Sequence, residues 1–417
     1  MGLFGLLGQG NLGNDASLEA ILAFLRARHP DAVVDFLCSG PEQITARYGL
    51  PAARIRWYSP EHQQSSGRMT LVRKAGGMAA GLVIDAFRIA AWVRRHDVVI
   101  VPGMGVLEAT VPLRPWQTPY SLFLLSVSGR MFDTKVALVS VGANVIRQRL
   151  TRRLVTAAGR MASYRSFRDT FSRDAMRRMG VDTSGDAVYP DLVFSLPTPR
   201  DVSVTAGSVG VGVMDYSGGN DDRRRAAEIS NRYIETMKLF VLWLVDNGRT
   251  VRLLTGDVHD ERIVQEILAD VRTSRPDLAP LRLTAEPVRS ITDLMWQMAS
   301  VDTVVGTRYH NVICALKLAK PTVSIGYAKK FEALMTETGM GEFCQPAASL
   351  DLDRLIRQFT EAEKRASELR TAMDERNMIN AQLLERQFAL LSGKLFPSAQ
   401  PGAEPASPAS SSPVRAH

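Results

Sequence analysis

Short runs of Val, Ile and Leu alternate with stretches of helical periodicity from the first residues to about residue 345. LFGLL, SLEAILAFLRARH, VVDFLCSG, a helical pattern through 78–95 and DVVIVPG follow one another in the first hundred residues. Strands that are apolar on both faces and separated by helices belong to parallel sheets, because each crossover lays a helix on a sheet face. KVALVSVGA, a helix at 149–158, and MASYRSF with a helix ending at Gly180 continue the rhythm until Pro197 and Pro199 interrupt it. It restarts with VGVGVMDY, a helix at about 223–246 closed by Asn247 and Gly248, TVRLLTGD, a helix from 260, LRLTAE and VDTVVGT. The expected fold is therefore α/β, with two doubly wound Rossmann-like domains at 1–197 and 207–345. The Glu/Arg-rich pattern over 350–393 is expected as helices packing back across both, and the Pro/Ser/Ala-rich stretch 397–417 as a disordered tail.

Composition narrows the function. Three scattered cysteines, Cys38, Cys314 and Cys344, form neither a disulfide framework nor a zinc-ligand pair, which points to the cytoplasm. The apolar N-terminus lacks a basic flank and reads as a buried first strand. Later apolar stretches such as GLVIDAF and YSLFLLSV fall short of the roughly 20 residues of a membrane span. Net charge is +8, and ten arginines lie between Arg147 and Arg178 against only Asp169 and Asp174. No zinc-finger spacing or RNP-like motif accompanies them, so nucleic acid is not the expected partner. An Arg-rich stretch beside PYSLFLLSVSGRM suits peripheral contact with the inner face of the plasma membrane.

Ligands of open α/β sheets bind beyond the carboxyl ends of the strands, so the strand-to-helix turns carry the functional expectations. GLLGQGNLGND presents Gly8, Gly10 and Gly13 in a G-x-G-x-x-G pattern, but the second strand ends in Cys38 and Ser39 where a dinucleotide site needs an acid. Its Asn11, Asn14 and Asp15 are candidates for holding a substrate. In VVIVPGMGVLEAT, Glu108 is the nearby carboxylate, able to accept a hydroxyl's hydrogen bond or proton. In ASYRSFRDTFSRDAMRRMG, Arg168 stands at a strand end beside helix-start amides, a placement suited to phosphate or carboxylate. GTRYHNVICALKLAKPTVSIGYAKK carries Arg308 and His310 in the first turn of a helix, where two basic residues oppose the dipole unless an anion joins them. The next strand ends in Lys329 and Lys330.

These segments resemble the polysaccharide pyruvyl transferases. GNLGNDASLEAIL is similar to that family's N-terminal turn and helix, VVIVPGMGVLE to its Gly-rich second turn, SFRDTFSRDAMRRMGV to its Arg-Asp-x-x-Ser segment, DLVFSLP to its Asp-containing interdomain segment, and GTRYHNVICALKLAKPTVSIGYAKK to its Arg-x-His helix start and lysine-bearing strand end. The resemblance covers roughly residues 8–345 and implies a GT-B-like architecture. It implies phosphoenolpyruvate as co-substrate, with no other cofactor and no metal, and a cyclic pyruvate ketal formed on a hexose of a cell-envelope polysaccharide or glycolipid, the acceptor being lipid-linked in one version. On this reading Arg168, Arg308 and either Lys329 or Lys330 hold the donor, His310 is the acid, Asp15 or Glu108 the base, and Asn11, Asn14 and Asp15 contact the acceptor. The competing readings are a GT-B glycosyltransferase using a nucleotide sugar, and a sugar-binding protein without activity.

Overall fold

A computed structural model describes residues 1–57, 68–108 and 115–396; the expected disordered tail lies outside them. The first sheet contains β1 (Gly2–Gly5), β2 (Asp35–Cys38), β3 (Ala52–Arg54), β4 (Val98–Pro102), β5 (Lys135–Val141), β6 (Tyr164–Phe167) and β7 (Ala187–Val188). All pair in parallel, in the order β3-β2-β1-β4-β5-β6-β7. Between them run α1 (Leu12–Arg28), α2 (Pro41–Tyr48), α3 (Arg68–Val93), α4 (Thr118–Phe132), α5 (Arg149–Met161) and α6 (Thr170–Arg178). The apolar alternation read from the sequence has its physical cause here: β1 and β4 are buried along their whole length because helices cover both faces.

The second sheet is built the same way from β8 (Ser208–Gly212), β9 (Thr250–Leu254), β10 (Leu283–Thr284), β11 (Thr303–Gly306), β12 (Thr322–Gly326) and β13 (Cys344–Pro346). Its order is β10-β9-β8-β11-β12-β13, again parallel throughout. Its helices are α7 (Ala226–Asp246), α8 (Glu261–Ser274), α9 (Ile291–Ala299), α10 (Tyr309–Lys317) and α11 (Lys329–Glu337). Each sheet reverses its strand order once, between β1 and β4 and between β8 and β11, and such switch points open crevices at the strands' carboxyl ends. The helices leaving these two points, α1 and α10, face each other across the molecule.

Two closing helices tie the halves together. α12 (Leu352–Lys364) sets Phe359 edge-on to Phe240 and Trp243 of the second half. α13 (Ala366–Leu395) returns to the first half, where Phe388 stacks on Phe24 and buried Gln387 bonds Ser140 and Ser166. The helices expected over 350–393 are these two, parted at Arg365. The stretch YSLFLLSV, expected only as an apolar run, lies within α4.

Candidate active site

A cavity of about 730 Å³ opens between the two switch points. Asn11 and Asn14 reach it from the start of α1, Glu108 from the turn after β4, and Arg168 from the end of β6. The second half contributes Arg308, Tyr309 and His310 from the start of α10, and Tyr327 and Lys330 from the turn after β12.

Two glycines of the G-x-G-x-x-G pattern, Gly10 and Gly13, make room between the halves. Gly13 sits so close to His310 that a Cβ there would meet Nδ1 at 1.8 Å, and a Cβ on Gly10 would meet Val258 at 2.7 Å. Asn11 caps α1 through the Asn14 amide and reaches across to Asp257, its Nδ2 donating to Oδ2 at 3.3 Å. Asn14 is held by the Leu6 carbonyl at 3.0 Å. The motif thus seats the opposite domain at Gly10 and Gly13 and presents Asn11 and Asn14 to the cavity.

One of the two basic residues at α10 already has an anionic partner within the protein. Arg308 is the N-cap, and its Nε donates to Asp260 Oδ2 at 2.8 Å while Nη2 donates to Oδ1. Asp260 is fully buried and also accepts the Asp215 amide. The negative partner that Arg308 requires at this helix start is thus supplied by the protein itself. His310 Nε2 lies 3.7 Å from Asp191 Oδ2, too long for a hydrogen bond, and both atoms are buried without a hydrogen-bond partner among the described residues. Burial works against the charge of Asp191, but His310, Arg168 and the Val193 amide outweigh it and hold the carboxyl below its ordinary range.

Arg168 is buried over the face of Tyr309, 4.8 Å from its centroid, and donates through Nη2 to Glu108 Oε1 at 2.5 Å. Lys330 donates to Glu108 Oε2 at 3.0 Å and also covers Tyr309. Burial alone would raise the Glu108 carboxyl, but Lys330 and Arg168 together bring it down to about 2. In this arrangement both oxygens of the Glu108 carboxylate are engaged by cations rather than free toward the cavity.

Of the two lysines, Lys330 enters the cavity, while Lys329 is exposed at the start of α11 beside a separate groove. Asp15 is not brought to the cavity either. It accepts the Gly8 amide at 3.0 Å and lines a neighbouring groove with Arg47 and Tyr48, and burial raises its carboxyl.

A sequence profile described as polysaccharide pyruvyl transferase matches residues 11–329, which includes the cavity residues from Asn11 to Tyr327. The chain belongs to the polysaccharide pyruvyl transferase family. No curated protein matches it. Among solved structures, a UDP-N-acetylglucosamine 2-epimerase superimposes with a TM-score of 0.61 at 14% identity, covering 97% of this chain and 98% of that one. The Neisseria meningitidis UDP-GlcNAc 2-epimerase bound to UDP-GlcNAc gives 0.56 at 11%, covering 94% and 100%. A glycosyltransferase from Rickettsia africae ESF-5 gives 0.54 at 10%, covering 95% and 99%. These likenesses establish the shared GT-B-like fold of this transferase.

Within this family member, sequence reasoning passed over three site residues. Asp191 stood in the quoted segment DLVFSLP, where the proline-bounded stretch between domains was the available signal. Tyr309, between Arg308 and His310, forms the aromatic floor under Arg168 and Lys330. Asp260 carried no signal, since TGDVHDE reads as an ordinary helix start.

Proposed function

We propose that this protein transfers the pyruvyl group of phosphoenolpyruvate to two hydroxyls of a sugar, forming a cyclic ketal and releasing phosphate. What carries the reading is the gathering of Arg168, Arg308, Lys330 and His310 around one cavity at the facing switch points. A small trianion with a phosphate and a carboxylate suits two guanidinium groups and an ammonium, since guanidinium forks bind such groups in two-point fashion. Arg308 has N–H groups left over after its bonds to Asp260.

In the proposed reaction, protonated His310 gives its proton to the methylene carbon of the enol, and Asp191 stabilises the imidazolium. The neighbouring carbon becomes electrophilic, one sugar hydroxyl adds to it, and the C–O bond to phosphate breaks. The second hydroxyl then closes the ketal. Two hydroxyl protons are lost in all: one replaces the proton that His310 gave, and the other leaves with the phosphate. His310, once it has given its proton, and the departing phosphate are the bases for the two hydroxyls, in place of Asp15 and Glu108. Asn11 and Asn14 face the acceptor from the first domain. Phosphoenolpyruvate supplies both the transferred group and the leaving group, so the reading invokes no other cofactor.

The test is to incubate purified protein with a glycan panel and either phosphoenolpyruvate or UDP-sugars, following phosphate and UDP. Phosphate release that depends on both phosphoenolpyruvate and a glycan supports the reading, and His310→Gln then lowers it by on the order of 10²-fold or more. UDP release from a nucleotide sugar instead assigns the cavity to glycosyl transfer.

A further inference from the structure

The helical layer on one side of the first sheet carries a surface that the proposed reaction does not use. α3 packs against α4, and α4 against α5, with the Tyr120 hydroxyl donating to the Leu82 carbonyl at 3.1 Å. Along α3 from Gly76 onward, where side chains are described, the exposed positions are Gly76, Ala79, Ala80, Val83, Phe87 and Ala91, spaced as one helical face and uncharged. Phe87 is 73% exposed and Val83 57%. Gly76–Val93 is the one stretch among the described helices long and apolar enough to cross a membrane, contrary to the reading of GLVIDAF as too short. It cannot cross as folded, because β3 and β4 on either side of it lie in the same sheet. An apolar face that cannot span can still lie on a bilayer.

Charge decides what would cover it. The face ends at Arg94 and Arg95, both exposed; α4 ends with Arg130 and with Met131, which is 70% exposed. α5 exposes Arg149, Leu150, Arg152 and Arg153. Neither 118–132 nor 149–161 contains an acid, and Asp85, the acid of 76–93, is buried and bonded to the Trp57 amide and Arg88. Trp57 and Trp116, partly exposed beside α3 and at the start of α4, are residues that favour the headgroup region. The ten arginines between 147 and 178 do not form this surface together: Arg165 pairs with Asp186, Arg168 enters the cavity, and Arg177 pairs with Asp174.

We propose that the α3–α4–α5 layer docks this protein on an anionic lipid bilayer, with the α3 face inserted among the headgroups and the α5 arginines on lipid phosphates. α4 and α5 begin at the carboxyl ends of β4 and β5, the end of the sheet at which the cavity opens. Docking therefore holds the catalytic crevice near the membrane plane.

The experiment is flotation with phosphatidylcholine vesicles, with and without phosphatidylglycerol, at low and high salt. Three proteins are compared: wild type, Val83→Glu/Phe87→Glu, and Arg149→Glu/Arg152→Glu/Arg153→Glu. All replaced side chains are exposed, so unchanged melting curves are expected and are measured alongside. Wild type should float with anionic vesicles at low salt, with Trp fluorescence shifting to the blue. The arginine variant should lose affinity by on the order of 10²-fold, and the α3 variant should lose the blue shift. Absence of binding to anionic vesicles overturns the proposal, as does binding that neither variant weakens. So does light scattering showing a dimer that Val83→Glu/Phe87→Glu dissociates, which would give the face to a second copy of the chain.

Discussion

Two cations that line the same cavity, Arg308 and Lys330, are paired with carboxylates in different ways. Arg308 and Asp260 both belong to the second domain and meet through two hydrogen bonds, with the carboxylate wholly removed from solvent. Lys330 and Glu108 come from opposite domains and meet inside the cavity, where Glu108 also holds Arg168. The first pair is part of how the second domain folds. The second is a contact between domains, made where an anionic substrate is proposed to sit, and an incoming phosphate or carboxylate competes with Glu108 for the same donors. Arg308 is thus fixed in place by its partner, Lys330 is held by a carboxylate that a ligand can replace, and Arg168 shares that carboxylate while also lying 3.5 Å from Asp191 and 3.8 Å from Asp169.

The contrast is broken most severely at Arg308. Arg308→Gln leaves the Asp260 carboxylate buried without its partner, a loss of about 3–5 kcal/mol. The expected outcome is a large drop in the melting temperature of the ligand-free protein. A mutant as stable as wild type would mean that Asp260 finds other partners, and that the pair is not part of the fold. Replacing both, as Arg308→Met with Asp260→Leu, should recover much of the stability while still removing a donor contact, which separates the two roles.

Gly13→Ala tests the contact between domains without touching a charge. Its Cβ would overlap the His310 ring, so either His310 turns away or the domains part. A displacement of about 1 Å at the acid is expected to cost turnover on the order of 10²-fold. The loss should fall on kcat, with the affinity for phosphoenolpyruvate largely kept. Turnover near wild type would show that His310 acts from another position.

Glu108→Gln sharpens the comparison. If Glu108 occupies the donor's place, removing its charge should tighten phosphoenolpyruvate binding by roughly tenfold, a gain of about 1.4 kcal/mol, read by calorimetry. If it were the base, kcat would fall with no gain in affinity. The sign for pH also follows. A carboxyl lowered from 4.5 to about 2 gives stability that is complete above about pH 4.5 and is lost as pH falls toward 2. The charge of Glu108 is therefore constant across the neutral range, and its own titration contributes no limb to the activity profile above pH 5.

These differences show where the sequence was readable. Both doubly wound sheets were legible because burial on two faces forces unbroken apolar strands, and those runs survive in one sequence without any partner. The strand-end placements of Arg168, Arg308, His310 and Lys330 were legible for the same reason, since a strand's carboxyl end fixes where its turn emerges. Pairing between distant segments was not. Asp260 lies 48 residues from Arg308, and Glu108 lies 222 from Lys330. Nothing in local composition states that these carboxylates turn toward those cations. The dipole rule identified α10 as anomalous and led toward a ligand, because one helix read alone cannot reveal a neighbour's buried acid. Asp15 was misplaced by a similar route: its turn points at the cavity, but its side chain folds back onto the Gly8 amide.

The smallest expected effect concerns a second cation at the junction of the domains. Lys317, at the end of α10, donates to the Phe194 carbonyl of the first domain at 2.8 Å, and burial brings its ammonium down to about 8 from 10.5. Between those values the unfolded chain binds more protons than the folded one, so this lysine makes stability rise as pH increases from about 8 toward 10.5. Lys317→Met keeps most of the side-chain volume and removes both the titration and the hydrogen bond. The difference in melting temperature between wild type and Lys317→Met, followed over that range, should shift steadily in favour of wild type. Subtracting the two curves cancels the other groups that titrate there. A constant difference would mean that Lys317 stays solvated, with the domains apart at α10. Such a result would also undo the contrast drawn at Glu108, because a pair made across an open junction holds nothing in place for a ligand to displace.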